Sequence, residues 1–162
     1  MMKRCLLAFV CVACAGIMAG GKTRKKGKPL VAHIGEGIGA YTLGMPLADA
    51  RLRSGAGLKP EGIPRLRKTG WLAGPLLLIV DDESEKIESI SLKLRASRGV
   101  IVDGMLLTPE LSLAEIHAKL PSCTVSRGSG GRSVTCEADT GRLSIYADEK
   151  GNEVWVVVPG VP

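Results

Sequence analysis

The sequence predicts an α+β fold: a two-layer domain in which helices cover one face of an antiparallel sheet, built from two degenerate strand–helix–strands repeats. Three observations carry that expectation. Apolar runs of strand length outnumber helical stretches, and Gly-containing turns separate them. Two halves of the chain, about 38–95 and 100–158, pass through the same order of elements. A cysteine pair, Cys123 and Cys136, falls between the second helix and the strands behind it.

The fold begins after a leader. Lys3 and Arg4 precede an unbroken apolar run from Cys5 to Met18, and Ala19-Gly20-Gly21 supplies small residues for cleavage. That order predicts a signal peptide over 1–21, too short and wrongly flanked for a membrane span. Residues 22–29 form a basic flexible tail, and 30–162 a single α+β domain. Cys5, Cys11 and Cys14 leave with the leader, so Cys123 and Cys136 remain as a pair, expected to be a disulfide in an exported protein. Cys14 follows Cys11-Val12-Ala13 and is the one candidate for lipidation, although the leucine of a lipidation box is missing.

Within the domain, 30–39 reads as a Gly-rich lead-in and 38–43 as a loosely alternating strand. Pro46 suits the first turn of a helix through Arg53, which Gly55 and Gly57 stop. Residues 55–70, rich in Gly, Pro and basic side chains, read as a mobile loop. Strands are expected over 76–80 and 87–94, with a polar turn between them. The second half repeats the order: a strand at 100–102, then a helix from Ser112 to Leu120. There Ser112 and Glu115 make a capping box, and Leu113, Ile116 and Leu120 an apolar stripe. Strands over 133–136, 143–146 and 154–158 complete it, with 124–135 as a loop closed by the disulfide. A shift of 66 positions lays Leu47-Ala-Asp-Ala50 on Leu113-Ala-Glu-Ile116, and Leu77 and Ile79 on Leu143 and Ile145. One further residue in the turn lays 87–91 on 154–158.

Charge excludes less than the net value of +6 suggests. Seven of the 22 basic residues lie in the leader and tail, leaving fifteen against sixteen acids in the domain. A nearly neutral domain with two Trp, two Tyr and no Phe offers no nucleic-acid platform.

Gly16 to Thr23 matches the phosphate-loop pattern G-x-x-x-x-G-K-T, and Leu76 to Glu83 resembles the acidic strand that holds magnesium in such NTPases. The context removes the match. Residues 24–29 cannot continue a helix, cleavage would divide the motif, and the acidic strand recurs at 143–149 without a phosphate loop. Gly35-x-Gly37-x-Gly39 lacks the flanking elements of a dinucleotide site. Asp81, Asp82, Glu83 and Glu85 lack the spacing of a calcium loop, and His33 and His117 have no metal-ligand spacing. No catalytic, cofactor or metal residue is assigned.

Leu43-Gly-Met-Pro-Leu-Ala-Asp-Ala50, behind a leader and a Gly-rich stretch, resembles a segment of the SmpA/OmlA type of small bacterial outer-membrane lipoproteins. Tandem copies of such a unit look like the architecture of the beta-lactamase inhibitor protein. Pro46 stands where that segment has Ser or Thr. The resemblance implies a non-catalytic envelope protein that works by contacting another protein.

The expectation is thus an exported, non-enzymatic protein-binding or envelope-structural module. It resides in the periplasm or outside the cell, and is anchored to the outer membrane only if Cys14 carries lipid. A partner, itself an envelope or secreted protein, would be met first at the basic segment Arg51, Arg53, Arg65, Arg67, Lys68 with Trp71. The rival is a hydrolase or ligand-binding enzyme whose site the sequence does not display.

Overall fold

The extended backbone of the apolar runs Leu76-Leu-Leu-Ile-Val80 and Val154-Trp-Val-Val-Val158 sends every second side chain to one face, and in the folded chain those faces are buried. The computed structural model describes residues 28–54, 57–61, 68–128, 131–147 and 154–159. Among them are thirteen strands: β1 (Leu30–His33), β2 (Gly37–Ile38), β3 (Tyr41–Thr42), β4 (Lys59–Glu61), β5 (Lys68–Ala73), β6 (Leu76–Asp81), β7 (Ile87–Lys93), β8 (Val100–Val102), β9 (Met105–Leu107), β10 (Thr124–Gly128), β11 (Gly131–Ala138), β12 (Gly141–Ala147) and β13 (Val154–Pro159). Two helices, α1 (Leu47–Ser54) and α2 (Leu113–Lys119), interrupt them.

The chain is mixed α and β, with mostly antiparallel strands in two sheets. The larger is an eight-stranded sheet in the order β10-β11-β12-β13-β7-β6-β5-β4, antiparallel throughout. It consists of two four-strand meanders whose last strands, β7 and β13, pair with each other. Ile90 faces Val158 and Leu92 faces Val156 across that seam, all four fully buried. Burying side chains of this size contributes roughly 1.5–3 kcal/mol each.

The single sheet expected from sequence is therefore incomplete. The lead-in residues form strands of their own, and β3-β2-β1-β8-β9 make a second, five-stranded sheet. Its β1–β8 pair is parallel, Leu30 beside Val100 and Ala32 beside Val102. A parallel pair needs a long crossover, so strand pairing within one half could not reveal it. The segment between β3 and α1 is tied to the large sheet: the Gly44 N–H donates to the Ile87 carbonyl at 2.7 Å and the Ile87 N–H to Met45 at 3.0 Å.

Two expected loops contain strands. Residues 59–61 form β4 and Lys68 begins β5, so the 55–70 segment is not loop throughout, and 62–67 lie outside the described residues. The 124–135 loop is instead β10 paired with the first half of β11. Helix α1 starts at Leu47 as expected and runs one residue past Arg53; Pro46 before it makes a bridge with Lys86, and its carbonyl accepts the Ala50 N–H at 3.1 Å.

Helix α2 follows its sequence signals. The Glu115 N–H donates to Ser112 Oγ at 3.3 Å, and the Ser112 N–H donates to the Glu115 carboxylate at 2.8 Å. Hydrogen bonds from the Ser112 side chain and backbone hold the Glu115 carboxyl below its ordinary range. Pro121 ends the helix, and the chain turns back through buried Cys123, disulfide-bonded to buried Cys136 with Cα atoms 4.3 Å apart. Thr124 pairs with Thr135, so the bridge extends the β10–β11 ladder by one rung. Closing a loop of this length stabilises the fold by roughly 3 kcal/mol in the chain-entropy treatment.

The expected 66-residue correspondence does not keep the faces of β6 and β12 together. It lays Leu77 and Ile79, which face away from the core, on Leu143 and Ile145, which are fully buried. A slip of one residue exchanges the faces of a strand. Matching buried with buried puts Leu76 on Leu143 and Leu78 on Ile145, a shift of 67. The register shift between β6 and β7 then leaves Glu88 without an opposite residue, and from Ile90 onward a shift of 66 aligns buried positions again.

The glycines near the chain start fit the second sheet. Gly35 has φ +72°, and a Cβ there would strike the backbone of Thr140, whose hydroxyl donates to the Ile34 carbonyl at 2.6 Å. This contact joins the small sheet to the β11–β12 turn. Gly35→Ala is therefore expected to lower stability by about 1–3 kcal/mol, read as a fall in denaturation midpoint. Ala at exposed Gly74, which has open space around it, isolates the backbone term alone and is expected to cost less.

Candidate functional site

Residues directly opposite one another across an antiparallel ladder share a face, so the exposed face of the large sheet can be read in rows. One row crosses all eight strands: Thr124, Thr135, Ser144, Val157, Ser91, Leu77, Leu72 and Lys59. It carries no charge until Lys59. The neighbouring row holds Ser126, Ser133, Tyr146, Trp155 and Lys93, the last with its ammonium 5.6 Å from the Trp155 ring centre. Tyr146 is 39% and Leu72 36% exposed; Trp155, Val157, Leu77 and Ile79 are half-buried. Arg51 of α1 meets Trp71, and Leu113, Ala114 and His117 of α2 lie beside Val134; Trp71 and Val134 belong to the other side of their strands. Charged groups sit near the ends of the strands, including the Lys68–Glu88 ion pair and the exposed Glu137 and Arg142. A neutral centre with aromatic and aliphatic side chains inside a polar rim is the anatomy of a protein-docking face.

Burial pushes the Tyr146 phenol above its ordinary pKa. The pairing partner Trp155 on β13 and Ser133 on β11 flank it. Beside it a shallow depression of about 470 Å³ is lined by Ser126, Arg127, Gly131, Arg132, Ser133, Ser144 and Tyr146. The Ser126 and Ser133 hydroxyls are 2.8 Å apart. That lining offers hydroxyls and guanidinium groups but no carboxylate, imidazole or thiol. Nothing in it takes up or releases a proton near neutral pH, so it suits recognition of polar or anionic groups and lacks a general acid–base pair.

The structure separates the residues of the basic segment. Arg51 on α1 lies over the Trp71 ring, its guanidinium carbon 4.8 Å from the centroid. Trp71 faces Leu78 on the buried side of β5, and its indole N–H is buried without a partner among the described residues. Arg53 donates to the Ala40 carbonyl at 2.9 Å. Lys68, three residues from Trp71, emerges on the opposite face and pairs with Glu88, which raises its pKa. Arg65, Arg67 and Cys14 lie outside the described residues, as do Lys22 and Thr23 of the phosphate-loop match. Arg51 with Trp71 and Lys68 with Glu88 are thus two separate clusters on two faces.

The acidic turn has local work. Asp81 accepts the Ser84 N–H at 2.7 Å, which with the Ser84 hydroxyl holds its carboxyl below the ordinary range, and Asp82 accepts the Thr69 hydroxyl at 2.8 Å. His117 Nε2 lies 3.1 Å from the Cys123 carbonyl; a carbonyl only accepts, so that nitrogen carries the proton. Among the described residues, no three His, Cys, Asp or Glu side chains converge on a metal position.

Sequence reasoning overlooked the open face because its residues were read strand by strand. The outward positions of β12 and β13 alternate Ser/Tyr and Trp/Val with buried apolar residues, and only the β7–β13 pairing brings them beside Ser91 and Leu77. No protein-family model matches the chain, and no curated protein or solved structure matches it.

Trp155→Ala admits water beside Tyr146, stabilises the phenolate and is expected to bring that phenol back down toward its ordinary pKa. Ultraviolet titration in a Tyr41→Phe background, which removes the other phenol raised by burial, measures it. An unchanged titration would show that Trp155 does not shield the ring.

Proposed function

We propose that this chain is an exported, non-enzymatic protein-binding module of the cell envelope or its surroundings, and that its partner docks on the open face of the eight-stranded sheet. The uncharged row from Thr124 to Leu72, with Tyr146 and Trp155 beside it, carries the reading. Such a surface favours a folded protein over a small molecule, because it is broad and open and the depression beside Tyr146 is shallow. Aromatic residues in the middle of a face are the usual anchors of protein interfaces.

A two-layer arrangement from two repeats, with both helices on the buried face, supports this role, since it leaves the other face free. The order helix then four-strand meander occurs twice. Buried positions of β6 and β12 correspond at a shift of 67, and buried Ala50 of α1 falls on buried Ile116 of α2 at 66. The resemblance to SmpA/OmlA-type lipoproteins, and to the beta-lactamase inhibitor protein architecture, points the same way. The Cys123–Cys136 disulfide is consistent with an oxidising, exported compartment.

Photo-crosslinking residues placed at Ser91 and Val157 in the native host test the face. A discrete adduct is expected from both, weakened several-fold by Trp155→Ala and absent from a probe at exposed Arg95, outside the strands of the large sheet. Equal adducts from the Arg95 probe, or none from either face position, would overturn the docking face.

Export is tested by intact mass of protein recovered from that host. The expected chain begins near Lys22 and gains two hydrogens on reduction. A chain retaining residues 1–21 would refute export, and added acyl mass on Cys14 would make the protein membrane-anchored.

A further inference from the structure

The two edges of the large sheet differ. An edge strand presents unpaired backbone N–H and C=O groups, and proteins blunt such edges with proline, charge or brevity. At one edge β4 is three residues, Lys59-Pro60-Glu61, and has all three devices. At the other, β10 is five residues, Thr124-Val-Ser-Arg-Gly128, with no proline and one charge. Its only strand neighbour among the described residues is β11.

Beside this edge lies a groove of about 230 Å³ lined by Leu113, Ala114 and His117 of α2, Val125 of β10, and Arg132, Ser133 and Val134 of β11. Val125 is 53% exposed and forms its outer wall. Arg127 and Arg132 are directly opposite across β10 and β11, on the same face as Val125. Two like charges in that position disfavour the pairing. Neither guanidinium has a hydrogen bond or ion pair within the described structure.

We infer that β10 is a docking edge which receives an extended acidic segment of a partner protein as a ninth strand. The inference rests on the protein-binding reading but uses a different surface. Backbone hydrogen bonds to β10 would supply affinity, and alternate side chains of the added strand would face Val125 and Arg127. Antiparallel addition, as everywhere else in this sheet, puts the residue opposite Arg127 first and the one opposite Val125 two positions later. The preferred segment therefore reads acidic–x–apolar, its carboxylate beside Arg127 with Arg132 one strand behind, and its apolar side chain beside Val125 at the groove. Charge argues against the other occupants. The chain's own tail is basic over 22–28, and a second copy would bring a second pair of arginines to the same edge.

The probe is an acetylated, amidated peptide Thr-Thr-Glu-Thr-Val-Thr-Thr, titrated into the isotope-labelled protein and followed by amide chemical shifts. Saturable shifts confined to β10 and the adjoining α2 groove are expected. Replacing the peptide's Glu by Lys, or Arg127 and Arg132 by Glu, is expected to weaken binding at least tenfold. The Arg127→Glu/Arg132→Glu protein is expected to prefer the Lys peptide, a reversal that a merely structural role for the arginines would not produce. Val125→Pro, which blocks the edge, is expected to abolish the shifts while the remaining spectrum stays native. Absence of shifts at millimolar peptide, equal binding of the Lys peptide, or shifts on the Tyr146–Trp155 face instead would each overturn the inference. So would concentration-dependent dimerisation through β10, which assigns the edge to a second copy, or peptide binding that appears only when residues 22–29 are removed, which assigns it to the tail. Failure of the peptide leaves the crosslinks from Ser91 and Val157 unaffected, so the two readings fail separately.

Discussion

The pairing of β7 with β13 is the constraint on which the rest of the molecule depends. Each strand is the last of a four-strand meander, and each meander alone would end in an unprotected apolar edge. Joining them places Ile90, Leu92, Val156 and Val158 at full burial in the middle of the sheet. It also aligns the outward rows of the two meanders, so that Val157 and Ser91 make one surface continuous. The same pairing thus makes the core and the open face together.

Faces follow from this seam with little freedom. Once Leu92 and Val156 point inward, alternation fixes Trp155, Val157 and Ser91 outward. The bulge at Glu88 is where the first meander departs from strict alternation, and it brings Glu88 to the side of the sheet occupied by Lys68. Arg51 stacked on Trp71 ties α1 to the first meander, and the disulfide ties the chain behind α2 to the second. A covalent tie at Cys123–Cys136 fixes the start of β10 against β11, which lets that edge strand remain extended without a second neighbour.

What was legible in the sequence follows the strength of local signals. The capping box of α2, the apolar strand runs 76–80 and 154–158 and the cysteine pair all carry their reason within a few residues, and each stands in the structure. The β1–β8 pairing was hidden because it joins residues about 70 positions apart with no local mark. Strands β4 and β10 were hidden because edge strands are exposed on both sides and carry no alternation: Lys-Pro-Glu and Thr-Val-Ser-Arg-Gly read as turns. The basic segment looked like one patch because its residues are near in sequence; alternation along β5 sends Lys68 and Trp71 to opposite faces.

The edges show how the fold divides protection from availability. An eight-stranded open sheet has two, and closure into a barrel is the general way to remove both. Here one edge is blunted by Pro60 flanked by opposite charges, whereas the other keeps a run of five residues in which Arg127 lies opposite Arg132, a residue that lines the groove. Arg127 can limit self-pairing, because another copy meets it with like charge, and still welcome a segment of opposite sign. Protection against the wrong strand and selection of the right one then come from the same two side chains, and the distinction between them is the charge of whatever approaches.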